Sequence, residues 1–195
     1  MAQLQRIMPT MDLRNIRAIT ASTLIGGVLL VACSPEHNWR EIHPVEAEGL
    51  TAWFPCKPDQ DERVLSWPGV NQARVRVMSC KAGEAIWSLR YVTVPDAPQV
   101  IQTLQWWSRD LQGRAGYTSK TLPALRVLGA TQEGQTAWQL DAIEGAGMFQ
   151  HGQAWHFSHG LTVFQASVWQ AKPFQMDSKE DDPVTTFKTG FQFSS

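Results

Sequence analysis

The chain has 195 residues, 17 basic and 18 acidic, with a formal net charge of −1. Its cations are scattered, so it lacks the clustered positive face that nucleic-acid binding requires, and a nucleic-acid partner is excluded as an expectation. A hydrophobic content of 43% with nine tryptophans suits a packed sheet domain and argues against a disordered chain.

The first element is a leader. Arg14 and Arg17 stand just before the uncharged stretch from Ala18 to Ala32. A positive flank followed by an apolar run is the layout of an export signal. The run is shorter than the roughly 20 residues that a membrane-spanning helix needs. It ends in Leu30-Val31-Ala32-Cys33, which resembles the bacterial lipobox, an aliphatic residue and two tolerant positions before cysteine. That resemblance implies a diacylglyceryl group on the Cys33 sulfur, removal of residues 1–32, and acylation of the new amine. Two or three acyl chains anchor stably where one does not. Ser34, which is not aspartate, implies an outer-membrane destination on the periplasmic face, with inner-membrane anchoring as the alternative. An ordinary signal peptide or an uncleaved anchor is the other reading of the same stretch. Met8 and Met11 are alternative starts.

Residues 33–48 read as the lipidated cysteine and a tether, and residues 49–195 as one domain. The tether is polar, contains Pro35 and Pro44 and shows no period. Fully extended it reaches at most about 50 Å. Trp39 and Ile42 are apolar enough to pack back on the domain.

Gly49 to Phe54 predicts a first strand, stopped by Pro55 and Pro58. Glu62 to Trp67 predicts a second, turned at Pro68-Gly69. Gln72 to Cys80 alternates, with Ala73, Val75 and Val77 opposite Arg74, Arg76 and Met78, as a half-buried antiparallel strand does. Ala85 to Val94 alternates likewise, placing Ile86, Ser88, Arg90 and Val92 on one side. These hairpins read as a meander.

With Cys33 given to lipid, Cys56 and Cys80 remain. In an oxidising compartment two leftover cysteines pair; two buried free thiols are the alternative. No C-x-x-C spacing and no nearby histidine favour a metal. A geometric difficulty follows. In a meander the first and third strands stand about 10 Å apart, whereas a disulfide wants its Cα atoms within about 7 Å. Either the Pro55–Pro58 segment curls across or the strand order is not sequential.

Asp96 is placed to cap a helix over about 97–112, with Pro98 in its first turn and Gly113 at its end. Val100, Leu104, Trp107 and Leu111 share one face. Trp106 points well away from them, towards solvent or a covering loop. Residues 114–123 read as a loop, 125–128 as a short strand, and Thr136 to Ile143 as a further strand. Glu144 to Gly147 reads as a turn. Met148 to Phe157 and Leu161 to Gln170 form a hairpin turned at Ser158-His159-Gly160. Asp182 and Pro183 open a short helix over about 183–189, stopped by Gly190, and Phe191 and Phe193 close the domain. The fold class expected is α+β: an antiparallel sheet with one longer and one short C-terminal helix packed on it.

The opening "G-L-T-A-W-F-P-C-K-P" and the closing "L-T-V-F-Q-A-S-V" with "T-T-F-K-T-G-F-Q-F" resemble the pattern of small exported bacterial domains of the PsbP-like α/β sandwich. Gly190 stands where that pattern usually has serine. The resemblance spans about residues 49–193, implies the fold, and supplies no catalytic residues.

Chemistry-bearing residues are sparse. His151, His156 and His159 surround one hairpin without a common face and read as exposed loop histidines. Asp141 and Glu144 flank a turn and read as solvated. There is no nucleophile elbow, P-loop or dinucleotide fingerprint. No cofactor and no metal are expected, and the chain reads as a non-enzyme. The function expected is a membrane-anchored periplasmic interaction or assembly module with an envelope protein partner. Exposed Trp106, with Trp67 at the Pro68-Gly69 turn, would anchor that partner. A small-ligand site between sheet and helix is the alternative, and an envelope hydrolase is the disfavoured third.

Overall fold

The computed structural model describes residues 36–143, 149–174 and 182–194. The leader, Cys33 and the Glu144–Gly147 turn lie outside the described residues. The elements in chain order are β1 (Arg40–Ile42), β2 (Leu50–Phe54), β3 (Asp59–Trp67), β4 (Val70–Ala82), β5 (Ala85–Thr93), α1 (Ala97–Gln112), β6 (Tyr117–Thr121), β7 (Thr131–Ala142), β8 (His151–His159), β9 (Thr162–Gln170), α2 (Pro183–Thr189) and β10 (Gln192–Phe193).

Seven strands form one antiparallel sheet in the order β3-β4-β5-β9-β8-β7-β6. A small antiparallel sheet, β1-β2-β10, lies apart from it. Period-2 alternation divides the large sheet into two faces. Val75, Val92 and Val163 pack beneath α1 with Leu104 and Trp107. Met78, Trp87, Leu89, Phe157 and Phe164 pack on the other side against Leu50, Phe54, Phe187 and Phe193, which come from the small sheet and α2. The fold is thus α+β, with the larger core on the α2 side.

Both helices start and stop where their capping residues dictate. The Asp96 carboxylate accepts from the Gln99 amide, and the Asp182 carboxylate accepts from the Thr185 amide. Each satisfies an orphan donor of the first turn. Gly113 and Gly190 end the two helices.

Several sequence expectations need correction. The first long strand, β2, is not part of the meander. It pairs with β1 and β10 and lies across the other face, so the strand order is not sequential. The stretch read as a tether holds β1, and its Ala47 is 1% exposed. Backbone pairing of Arg40 to Ile42 with β2 is what fixes it. Residues 114–123 hold β6, which pairs with β7. Residues 125–128 make only a single parallel bridge, Leu128 with Gln192. The β8–β9 turn is Gly160-Leu161, because His159 already pairs with Thr162.

Candidate functional site

The Cys56–Cys80 disulfide is present, with Cα atoms 6.1 Å apart. Its geometry follows from the separate placement of β2: the chain leaves β2 over the face that carries Cys80, so no meander neighbour intervenes. The bond ties the small sheet to β4. It lies near one end of the large sheet, where Ala82, Ala85, Gln170, His151, Asp141 and Thr118 follow one another across β4, β5, β9, β8, β7 and β6.

Trp67 and Trp106 meet at the opposite end. Their rings stack with centroids 5.7 Å apart. Trp67 also packs edge-on against Trp107 and donates from Nε1 to Thr103 Oγ1 at 3.1 Å. Trp67 is therefore not an exposed turn residue: it is 5% exposed. The β3–β4 turn folds over α1, so Trp67 inserts into the helix and Trp106 covers it. Gly69 sits there at φ 86°, in the left-handed region that favours glycine. Trp106 remains half-buried.

Beneath α1 a polar row crosses the sheet. Val77, Arg90, Gln165, His156 and Thr136 are register neighbours on β4, β5, β9, β8 and β7. Gln165 Oε1 accepts from Arg90 Nε at 3.0 Å and from His156 Nε2 at 2.9 Å. His156 Nδ1 lies 3.1 Å from Thr136 Oγ1. Because the Gln165 oxygen only accepts, His156 carries its proton on Nε2, and Nδ1 receives the Thr136 hydroxyl. His156 is wholly buried, not an exposed loop histidine. Burial pushes its pKa down to about 4, so the ring is neutral at neutral pH. The Arg90 guanidinium stacks on Trp107 at 4.3 Å. Burial lowers its pKa to about 10, and it stays charged at neutral pH. Ser108 of α1 accepts from Trp138 Nε1 at 2.8 Å and closes the network against the helix. Trp107 Nε1 and Ser158 Oγ are buried without a hydrogen-bond partner among the described residues.

The remaining histidines have structural partners. Partial burial pushes the Asp141 carboxyl up, but the contact with His151 Nδ1 at 2.7 Å and the hydrogen bond from Gln139 at 3.0 Å together outweigh it and hold the carboxyl below its usual range. His159 stacks on Phe193 with centroids 4.2 Å apart. No group of three or more metal-ligating side chains occurs among the described residues.

Two accessible features were missed in the sequence. The first is that the strand expected over Glu62 to Trp67 starts at Asp59 and, as β3, is the terminal strand of the large sheet, with Asp59 to Ser66 all exposed. Val64 is 62% and Leu65 37% exposed. The run of charges at Asp59, Asp61, Glu62 and Arg63 was its signal, since charge on an edge strand hinders unwanted pairing. The second is a cleft of about 650 Å³ between α2, the 122–126 segment and the sheet. Gln139, Gln153 and Gln170 reach it from three strands, and Arg126 and Lys188 from its sides. Its rim includes Phe174 and Asp182; the chain between them lies outside the described residues. The sequence signal was weak: three glutamines on separate strands share a face only once register is known.

Together these features define an α+β sandwich, a seven-stranded antiparallel sheet with α1 on one face and the small sheet and α2 on the other. No protein-family model and no curated protein sequence matches the chain. Among solved structures it is similar to cyanobacterial PsbP (CyanoP) from Synechocystis sp. PCC 6803, at 12% identity and a TM-score of 0.44, over 84% of this chain and 96% of that one. The α+β assignment rests on this chain's own strand order and helix positions.

Proposed function

We propose that the protein is a lipid-anchored envelope lipoprotein whose domain is a non-enzymatic interaction module. The lipobox at Leu30 to Cys33 supports the anchor and a periplasmic location facing the outer membrane. The observation that carries the interaction role is the β3 edge. Eight consecutive exposed residues, with Val64 and Leu65 among them, offer unpaired backbone groups and apolar side chains together. A partner strand would pair with the backbone, and its side chains would read the apolar positions. Trp106, covering the buried Trp67 at the end of the same hairpin, would extend that surface. A photo-crosslinking residue at Val64, in the full chain in its native envelope, should trap a defined protein. The same residue at Lys120, on the opposite edge strand, should not. Equal labelling from both positions would remove the edge-specific role.

The cleft beneath α2 favours a second reading, small-ligand binding. Its volume falls in the range of ligand sites, about 300–1,000 Å³, and its amides suit a hydroxyl-bearing anion, with Arg126 and Lys188 as cations besides Lys172, which pairs with Glu84, and with Asp182 spent on capping α2. A saturable melting shift with glucuronate, abolished by Arg126→Gln with Lys188→Gln, would support it. No shift with any small anion would remove it.

A further inference from the structure

The lipid anchor and the ordered domain are separated by almost no chain. The Glu36 side chain lies beside the β4–β5 turn, where a Cβ at Gly83 would meet its carboxylate. Two residues on, the Asn38 amide donates to the Pro55 carbonyl at 2.8 Å. His37 and Trp39 stack on one another and pack edge-on against Trp87. Only Ser34 and Pro35 lie between Cys33 and Glu36. Three Cα–Cα steps reach Glu36 within about 11 Å, and five reach the hydrogen-bonded Asn38 within about 19 Å. Resting on the lipidation of Cys33 proposed above, this bound has a consequence that a long tether would not have.

We infer that the domain stands directly on the lipid headgroups, on the end of the large sheet that holds the β4–β5 turn. Lys81 lies just before that turn in β4. Lys172 reaches Glu84 in it at 2.6 Å. Lys57 follows Cys56, which is bonded to Cys80. The half-buried Trp39 completes the end, and its amphipathic ring suits a headgroup layer. The end carries both signs of charge, so contact is imposed by chain length and does not depend on anionic lipid. A nine-residue strand spans about 30 Å. The Trp67–Trp106 end of the same sheet therefore faces away from the membrane, towards the partner.

The test uses the full lipidated chain in phosphatidylethanolamine–phosphatidylglycerol vesicles containing a nitroxide-headgroup lipid. A fluorophore is placed through Lys81→Cys or, in a second variant, through Ser66→Cys beside Trp67, with the Cys56–Cys80 bond verified by mass. Strong quenching at Lys81 and little at Ser66 is expected. Inserting twenty Gly/Ser residues after Ser34 should bring Lys81 down to the level of Ser66. Equal quenching at the two sites in the unextended chain would overturn the orientation and leave the lipid anchor standing. A chain that fails to float with the vesicles would overturn the anchor itself, and the orientation with it.

Discussion

The two faces of the large sheet are buried by different chemistry. Towards α2, aromatic rings interlock: Phe157 stacks on Phe164 with centroids 5.1 Å apart, and Phe187 packs edge-on against Trp87 at 5.2 Å and Phe54 at 5.5 Å. Towards α1, a cation, an amide, an imidazole and a hydroxyl share one row and satisfy each other. The first face is stabilised by burial and shape, which are non-directional. The second depends on the pairing within that row, because a member left without its partner bears its full desolvation cost, as Trp107 Nε1 and Ser158 Oγ, unpaired among the described residues, already do. The faces should therefore fail differently.

The largest effect is expected on the aromatic face. Phe187→Ala removes a ring with no exposed surface and should cost about 3–5 kcal/mol through lost burial and a cavity. Urea unfolding measures it, and a loss below 1 kcal/mol would mean that the α2 face is not a packed core.

The polar row should answer to pH. The His156 pKa is lowered from 6.5 to about 4 on folding. Between those values the unfolded chain binds more protons, so stability rises with pH across this window. The contribution is fully present above about pH 6.5 and is lost as pH falls towards 4, by up to about 3 kcal/mol. His156→Gln should flatten that dependence. A variant as acid-sensitive as the parent would place the effect elsewhere.

Two further changes separate the faces. Reducing the Cys56–Cys80 bond, which ties the small sheet to the aromatic face, should cost about 3 kcal/mol for a sequence separation of 24, independently of pH between 5 and 7. Gln165→Leu leaves Arg90 and His156 facing an apolar group and should cost about 2 kcal/mol. Combined with His156→Leu the loss should be less than additive, because the two residues share one hydrogen bond.

Much of this division was legible in the sequence. The 3.6-residue spacing of Val100, Leu104, Trp107 and Leu111 marked the buried stripe of α1, and Asp96, Gly113, Asp182 and Gly190 marked both helices' ends. Alternation placed Arg90 with Val92 on one side of β5, but could not show that Gln165 and His156 would stand beside it. Register is a long-range property, set here only when β5 and β9 are brought together, with Arg90 and Gln165 lying 75 residues apart in sequence. For the same reason the departure of β2 from the meander was visible only as a conflict, the disulfide distance that sequential strands could not meet. The Trp67–Trp106 stack escaped because a helix period gives a direction for Trp106 but not the hairpin that covers it.

In the proposed function, the lipid on Cys33 holds this domain at a membrane. Fractionation of cells expressing the full chain and its Cys33→Ser variant tests it most directly, with the disulfide checked by mass in both. The parent is expected in the membrane fraction and the variant in the soluble periplasmic fraction, folded and with Cys56 and Cys80 still bonded. A variant that remains with the membrane after its leader is removed would contradict it.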